Sequence, residues 1–441
     1  MLPLHPLNDM VDLAQLVRAS DCGSEGRGFE PHIPPFISGN STEFSLILLH
    51  IITLVSNFVT NSCAMKIVIA PDSFKGSLSS SEVADAIENG VKQVLPNAEV
   101  VKIPLADGGE GTSRLLSKVL GGRMISCVAL DPLGREIVAE YCVAGRLAVI
   151  ETAAASGLML VEECSRDAME ASSFGTGMLI RDALDRGCRD FLICLGGSAT
   201  TDAGMGMLSA IGVKFYDSDG GELQPSGKNL NRIASVDTKD VDNRLKECRF
   251  EAVCDVENVL YGDRGAAYVF APQKGASLVE VQLLDVGLRN FAMCVNKSLR
   301  IDVSGIKGGG AAGGIGASLV AFLGAELRRG IDVVLDAVRF DDMVAEADVV
   351  ITGEGKADAQ TLMGKLPSGV LERSRRAGVP VILLAGKVEC RDKLLAEGFR
   401  CVESIVPSGM NLATAMRSEV AEKNIENSIA TLFGNIDFSA H

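Results

Sequence analysis

The chain has 441 residues, of which 47% are hydrophobic and 22% are charged, and its 42 basic and 57 acidic side chains give a net charge of −15. This length predicts two domains, the composition excludes wholesale disorder, and the acidic balance argues against a nucleic-acid-binding protein. A small anionic substrate is compatible with this balance, because a local basic pocket can lie within an acidic protein.

Histidine is confined to the two ends of the chain, and there is none between Met65 and Ala440. Chemistry in that stretch therefore uses no imidazole as a base or as a metal ligand. The twelve cysteines are scattered without a C-x-x-C pair. This usage predicts reduced thiols in a cytoplasmic protein.

Residues 1–64 differ from the rest of the chain, and we expect them to be no part of the native fold, either as a mis-called start or as a disordered extension. The stretch LAQLVRASDCGSEGRGFEPH resembles the translation of a transfer-RNA gene, and Met65 directly precedes a strand pattern. Residues 45–59 are the only candidate for a signal or membrane segment, but they are short for a span of about 20 residues. An exported or anchored protein is the alternative.

From Met65 onward, strand and helix patterns alternate, which predicts an α/β fold with a mostly parallel sheet. Strands are predicted at 66–71 and 98–106, and Ser79 and Glu82 form a capping box before a helical apolar spacing. Residues 135–152 alternate with period two, which predicts an antiparallel hairpin. Three further buried-strand patterns follow near the end: ADVVITGEG, GVPVILLAG and FRCVESIVP.

The strand patterns at the two ends of the chain resemble each other, since both alternate buried strands with helices. We therefore predict two α/β domains with a cleft between them. The first is a discontinuous, Rossmann- or flavodoxin-like domain with a parallel sheet, formed by residues 65–112 and 345–441. The second is an inserted mixed α/β domain at 113–344.

Four polar, glycine-containing loops follow predicted strands, at the positions where ligands bind in open α/β sheets. Any one of them could be an ordinary turn, but four together favour one shared polar site. They are Asp72-Ser73-Phe74-Lys75-Gly76, Asp107-Gly108-Gly109-Glu110-Gly111, the loop 196–204 (GGSATTDAG), and Gly353-Glu354-Gly355-Lys356.

The loop 196–204 is the best candidate for a phosphate cradle. Its glycines let backbone N–H groups approach an anion, its hydroxyl groups add donors, and a helix predicted from about Ala203 would present its positive end. A glycine-rich turn with a helix cap is the alternative. The predicted phosphate- or nucleotide-binding residues here are Gly196, Gly197, Ser198, Thr200 and Thr201.

The segment 308–316 formally contains G-x-G-x-x-G at Gly308, Gly310 and Gly313, which are further candidates for phosphate or nucleotide binding. As a dinucleotide fingerprint it is weak, since no buried strand leads directly into it. A glycine-rich helix start near a phosphate is favoured over a Rossmann site. The sequence has no G-x-x-x-x-G-K-[ST] motif, which excludes a P-loop.

Carboxylates and lysines accompany these loops. Asp202 can hold Mg²⁺, accept a proton or simply cap a helix, and Asp255 is the best second carboxylate. Lys75 stands out among lysines that are mostly expected to be solvated. A histidine-free site of this kind fits phosphoryl transfer, which needs positioning and charge neutralisation more than a strong base. The other lysines near the loops are Lys274, Lys307, Lys356, Lys365 and Lys387.

Long runs in consistent order resemble the type 1 glycerate kinase family over essentially all of residues 65–441. They are MKIVIAPDSFKGSLSS (65–80), PLADGGEGT (104–112), ETAAASGL (151–158), SSFGTGMLI (172–180), LGGSATTDAGMGM (195–207), CDVENVLYGDRGAAYVFAPQKGA (254–276), GGGAAGGIGA (308–317) and ITGEGKADAQTLMGKLPSGV (351–370). The resemblance implies ATP-dependent phosphorylation of D-glycerate with Mg²⁺, usually to 2-phosphoglycerate, although 3-phosphoglycerate is also attributed to the family.

Carried over by these motifs, Lys75 would contact the glycerate carboxylate or a transferring phosphate, and Asp72 and Asp107 would orient it or bind Mg²⁺. Asp202 and Asp255 are the candidates for catalytic base or metal ligand. The other predicted substrate-binding residues are Ser73, Glu110 and Glu354, the last on the facing domain, where closure would bring it in.

The sequence departs from the family at three places. Lys356 stands where the family usually has arginine, so a bidentate clamp there is in doubt. Lys387 stands where serine is common, and residues 1–64 have no counterpart. Three alternatives to a glycerate kinase stay open: a kinase for another hydroxy acid, a phosphatase, and a non-catalytic protein that binds a small anion.

Overall fold

Two large β-sheets with covering helices and one small two-stranded antiparallel sheet organise the chain, whose computed structural model describes residues 65–103, 105, 111–362 and 364–435. The strands are β1 (Lys66–Ile69), β2 (Glu99–Lys102), β3 (Arg123–Leu130), β4 (Glu136–Ala144), β5 (Leu147–Glu151), β6 (Asp190–Cys194), β7 (Lys214–Tyr216), β8 (Ser235–Asp237), β9 (Arg249–Val253), β10 (Glu326–Arg328), β11 (Val349–Ala357), β12 (Val381–Val388) and β13 (Cys401–Ser404).

Helices of very different lengths connect these strands. They are α1 (Ser80–Val94), α2 (Thr112–Val119), α3 (Ala153–Ser156), α4 (Phe174–Asp185), α5 (Met205–Ala210), α6 (Ala266–Phe270), α7 (Leu278–Leu299), α8 (Ile315–Leu323), α9 (Gly330–Ala337), α10 (Phe340–Val344), α11 (Leu366–Arg376), α12 (Arg391–Glu397), α13 (Leu412–Ala415) and α14 (Ser418–Asn435).

The first sheet is fully parallel and takes strands from both ends of the sequence, in the order β13-β12-β11-β1-β2. Ile69 of β1 pairs with Ile351 of β11, which in turn pairs with Ile382 of β12. The interior strand β1 is buried from Ile67 to Ile69 because helices cover both faces. The prediction of a parallel sheet built from both ends of the chain is confirmed.

The start of α1, the helix after β1, is determined by its local sequence. The Ser79 hydroxyl accepts from the N–H of Glu82, whose carboxylate accepts in return from the N–H of Ser79. This is the predicted capping box. Close packing follows on the buried face, where a Cβ on Gly90 would lie 2.8 Å from the Glu426 carbonyl of α14.

The second sheet is mixed and has the order β10-β9-β6-β5-β4-β3. Strands β4 and β5 form the predicted antiparallel hairpin, while β5, β6, β9 and β10 run parallel. Their register brings four carboxyl ends to one edge of the sheet. The residues at this edge are Glu151, Cys194, Val253 and Arg328.

The mixed sheet packs its two faces differently. One face carries the largest apolar core, together with α4, α5, α7 and α8. The other face contacts α2 and α9 through Leu116 and Val333. Helix α9 also reaches the core of the parallel sheet through Val334, as does Phe340 of α10. These two helices precede the expected boundary at residue 345, and the division into domains at 112 and 345 stays a prediction.

Three expectations fall on residues that the structure does not describe. They concern the extension at 1–64 and the predicted substrate-binding residues Asp107 and Glu110. Within the described part of the chain, no helix is both long enough and apolar enough to cross a membrane.

Candidate active site

A cavity of about 340 Å³ lies at the carboxyl ends of the parallel strands, the edge where open α/β sheets bind ligands. We call it the sheet-end cavity. It contains four of the predicted site residues: Asp72, Ser73, Lys75 and Glu354. Its other lining residues are Phe74, Ser77, Gly355, Lys356, Lys365, Gly386, Lys387, Ile405, Val406, Leu412, Ala415, Met416 and Ala421.

The loop after β1 holds Asp72 and Lys75 in place through its own backbone. The N–H of Asp72 donates to the Gly353 carbonyl at 2.8 Å, which ties the loop to β11. Phe74 and Leu78 exchange backbone hydrogen bonds, and both side chains are buried. The exposed Lys75 directly follows Phe74, whose backbone is held by these hydrogen bonds, and Lys75 lines the cavity.

Glu354 is the buried acid of this cavity and is 6% exposed. Its Oε1 accepts from the Thr361 hydroxyl at 2.5 Å. The pKa of Glu354 is raised to about 7, chiefly by burial and also by the neighbouring Asp72 and Asp358 carboxylates. The hydrogen bond from Thr361 and the charge of the Lys365 ammonium oppose this increase. A carboxyl group with this pKa changes charge near neutral pH.

Three lysines on the facing strands and loop add positive charge to the cavity. Lys356 and Lys387 are paired across β11 and β12, and both contact Glu389, at 3.2 and 2.8 Å. Lys365 precedes α11 and lowers the pKa of Glu354 by its charge. These lysines were expected near the polar loops but were not predicted as site residues. They come together in the cavity because of the strand order, which the local sequence does not reveal.

The predicted phosphate cradle at 196–204 differs from its expected form. Its helix begins at Met205 and not near Ala203, because Ala203 and Gly204 adopt left-handed backbone angles, φ 52° and 70°. The N–H groups of Gly206 and Met207 are already bound by Asp202 and the Ser173 hydroxyl. The helix therefore offers no open positive end to a phosphate, and the exposed Gly196 and Gly197 are what the loop presents to solvent.

Asp202 is fully buried and accepts four hydrogen bonds. Its Oδ2 accepts from the N–H and hydroxyl of Ser173, both at 2.8 Å, and from the N–H of Gly206 at 3.0 Å, while its Oδ1 accepts from Gly204. Burial raises the pKa of Asp202, and these donors oppose that change. The carboxylate thus holds the loop to the start of α4, a role that its sequence context left open.

Lys274 lies under the same loop and is 3% exposed. Its Nζ donates to the Ser198 hydroxyl at 3.0 Å and to the Thr200 carbonyl at 2.6 Å. Burial lowers the pKa of Lys274 to about 7, although the charge of Asp202 raises it. Lys274 was not predicted as a site residue, because nothing in its neighbouring sequence distinguishes it from a surface lysine.

The glycines at 308–316 are buried against the chain's own backbone. A Cβ on Gly313 would lie 1.9 Å from the Thr200 carbonyl, and one on Gly310 would lie 2.3 Å from the Val259 carbonyl. A Cβ on Gly308 would meet the Cys254 sulfur at 2.7 Å. These glycines therefore allow two polar loops to pack closely, and their binding of a nucleotide stays a prediction.

Two carboxylates at the edge of the mixed sheet join it to helices that approach the parallel sheet. Glu151 accepts from the N–H and the hydroxyl of Ser113 at the start of α2, at 2.8 and 2.7 Å. The exposed Asp255 accepts from the N–H of Gly330 at the start of α9, at 2.8 Å. The edge of the mixed sheet is thus linked to the starts of α2 and α9.

The structure separates the predicted site residues into three groups: the sheet-end cavity, the loop 196–204 with Gly313, and Asp255 at the start of α9. Among the described residues, no group of three or more His, Cys, Asp or Glu side chains could hold a metal ion. Mg²⁺ commonly uses one or two protein carboxylates together with substrate phosphates. The Asp72 carboxylate, close to Glu354, fits that donor set.

Comparisons with known proteins show the family of the chain. A model of the glycerate kinase family matches residues 67–436. The chain is 45% identical over 374 residues to a glycerate kinase from Bacillus subtilis (strain 168), covering 83% of this chain and 98% of the relative. It is 45% identical over 326 residues to a glycerate 2-kinase from Escherichia coli (strain K12), covering 74% and 86%.

A solved structure gives the same answer for the fold. The crystal structure described as a glycerate kinase 2 from Salmonella typhimurium LT2 superposes with a TM-score of 0.75 at 44% sequence identity, and the match covers 84% of this chain and 98% of that one. The two-sheet α/β architecture is shared. The chain therefore belongs to the glycerate kinase family and is a phosphotransferase that acts on glycerate.

Proposed function

We propose that the chain transfers the terminal phosphoryl group of ATP to the 2-hydroxyl group of D-glycerate, with Mg²⁺, as a cytoplasmic enzyme. The observation that carries this proposal is the sheet-end cavity, in which four lysines and the Asp72–Glu354 pair converge where this fold binds ligands. A related Escherichia coli protein is named glycerate 2-kinase, which supports the 2-position.

The lysines of the cavity provide charge for a polyanion. Lys75, Lys356, Lys365 and Lys387 would neutralise the phosphate oxygens as charge shifts during transfer. When bound, Mg²⁺ supplies Lewis-acid neutralisation of the same oxygens, and Asp72 is the carboxylate that would hold it. Ser73 lies next to Asp72, and we expect its hydroxyl to contact the glycerate carboxylate at the point where glycerate meets the terminal phosphate.

We assign the catalytic base to Asp255. A base must reach the proton that it removes, and Asp255 is exposed, whereas Asp202 is enclosed by four hydrogen-bond donors. In the step itself, the glycerate 2-oxygen forms a bond to the γ-phosphorus, the bond from that phosphorus to ADP breaks, and the hydroxyl proton passes to Asp255. Asp202 and Lys274 hold the loop 196–204, so that Gly196 and Gly197 can donate to the transferred group.

The test uses the full chain with ATP, Mg²⁺ and D-glycerate, and enolase alone reads the product. Enolase accepts only the 2-phosphate, so phosphoenolpyruvate is the expected signal, and reactions with L-glycerate or without ATP are the controls. A signal that requires added phosphoglycerate mutase would instead show 3-phosphorylation. Silence in both assays, with hydrolysis of phosphoglycerate, would overturn the kinase in favour of a phosphatase.

A further inference from the structure

The sheet-end cavity combines charged and apolar walls in a way that phosphoryl transfer to glycerate alone does not explain. Glycerate is a three-carbon acid with no apolar surface to bury, yet the cavity has an apolar side. Ile405 and Val406 follow β13, and Leu412, Ala415 and Met416 come from α13 and its end. Leu412 is 68% exposed and Met416 is 39% exposed, so apolar surface faces water inside a binding cavity.

Gly355 of β11 and Gly386 of β12 both line the cavity. A Cβ on Gly386 would lie 2.7 Å from the Gly355 carbonyl, so a larger residue cannot replace it without a backbone shift. These glycines therefore let β11, β12 and the β1 loop pack closely beside the apolar residues of the lining, which offer a surface for a flat ring.

The segment that joins α13 to α14 contacts the loop that carries Asp72 and Lys75. The Ser418 hydroxyl donates to the Ser77 carbonyl at 2.9 Å, and Met416 Cε lies 3.1 Å from the Cβ position of Gly76. Residues 412–418 therefore form a roof with contacts to the β1 loop. These contacts bring the apolar side of the cavity next to the loop that carries its charged residues.

The charged residues of the cavity indicate which kind of ligand it would bind. The cavity is lined by four lysines and two acids, in a protein with a net charge of −15. Strand order places β13 three strands from β1, which at about 4.8 Å per strand gives about 14 Å across the cavity. An elongated ligand with an aromatic ring at one end and several negative charges at the other matches this arrangement.

We propose that the sheet-end cavity is the nucleoside triphosphate site, with the base against the apolar lining residues of 405–416 and the phosphates on Lys365, Lys387 and Lys75. This inference rests on the proposed kinase function and assigns the nucleotide to one part of it. It moves the adenosine moiety away from 308–316, where the glycines are packed against the chain's own backbone. Glycerate then approaches from the mixed-sheet side, where Asp255 lies.

The test measures where ATP binds, with the full chain and without glycerate. Photolabelling with 8-azido-ATP should modify peptides within residues 405–421, and excess ATP should prevent the labelling. Labelling confined to peptides from 196–204 or 308–316 would overturn the proposed site.

Two substitutions give an independent readout through calorimetric ATP binding and separate KM values. Leu412→Ser and Lys365→Ala should each weaken ATP binding by about tenfold and leave the KM for D-glycerate within about twofold. Leu412 is already largely exposed, so its replacement should not disturb folding. The matched controls are Val279→Ser, 67% exposed on α7, and Lys307→Ala, which pairs with the exposed Glu257 in the part of the chain that the structure describes.

The outcomes separate this site from the proposed function. If the KM for glycerate rises and ATP binding is unchanged, the cavity holds the acceptor and the inference is wrong. If the chain phosphorylates glycerate but the label lies elsewhere, the function stands without this site. If ATP labels 405–421 but no glycerate is phosphorylated, the site stands and the proposed function fails.

Discussion

The carboxylate of Asp255 accepts a 2.8 Å hydrogen bond from the backbone N–H of Gly330, the first residue of α9. Asp255 follows a strand of the mixed sheet, and α9 packs against both sheets through Val333 and Val334. One carboxylate therefore both caps a linking helix and lies exposed at the edge where the substrate would bind. These two roles can be separated by substitution.

Replacing Asp255 by asparagine keeps an acceptor oxygen for Gly330 but removes the basicity. We expect Asp255→Asn to lower kcat by about 100-fold or more while leaving the free energy of unfolding within about 0.5 kcal/mol of the parent. Asp255→Ala should lose the same activity and also about 1 kcal/mol of stability, because the start of α9 loses its cap. Steady-state kinetics and urea unfolding give the two numbers. Full turnover by the asparagine variant would reduce Asp255 to a helix cap.

Asp202 should respond in the opposite way. An amide nitrogen at this buried position would face N–H donors, so Asp202→Asn leaves at least one donor unpaired and should cost about 3 kcal/mol in urea unfolding. Asp167→Asn is the matched control, since the exposed Asp167 accepts from backbone N–H groups through Oδ1 alone and should change by less than about 0.5 kcal/mol. Unchanged stability with lost activity would restore Asp202 as a base or metal ligand.

What could be predicted from the sequence depended on local signals. The Ser79 capping box and the first strand have all their determinants within a few residues. The capping box is confirmed, and the strand predicted at 66–71 is present at Lys66–Ile69. The role of Asp202 was not predictable, because its donors include Ser173, 29 residues away. The burial of Lys274 also depends on a distant contact, with Ser198. Family motifs indicated which loops matter, but tertiary packing decides which side chains remain open to a ligand.

The glycine run at 308–316 has two candidate roles, close backbone packing and nucleotide binding, which a substitution can distinguish. Gly313 has φ +67° and faces the Thr200 carbonyl at 1.9 Å from its Cβ position. We expect Gly313→Ala to destabilise the protein by about 3 kcal/mol or more, through backbone strain and overpacking. Gly305→Ala, with nothing within 4 Å of its Cβ position, should be neutral or slightly stabilising in the same thermal unfolding experiment. A stable Gly313→Ala variant that fails only in ATP binding would support the nucleotide role predicted for this glycine.

Glu354 should make stability depend on pH near neutrality. Its pKa is raised from 4.5 to about 7, chiefly by burial, so the folded state favours the protonated form. That contribution is fully present below pH 4.5 and is lost as the pH rises through 7. Glu354→Gln removes the titration, so on going from pH 5 to pH 8 the parent should lose about 2 kcal/mol of unfolding free energy relative to the variant. Urea unfolding of both proteins at the two pH values measures the difference. Parallel changes in the two proteins would mean that Glu354 is ionised throughout this range and that the Lys365 charge outweighs burial.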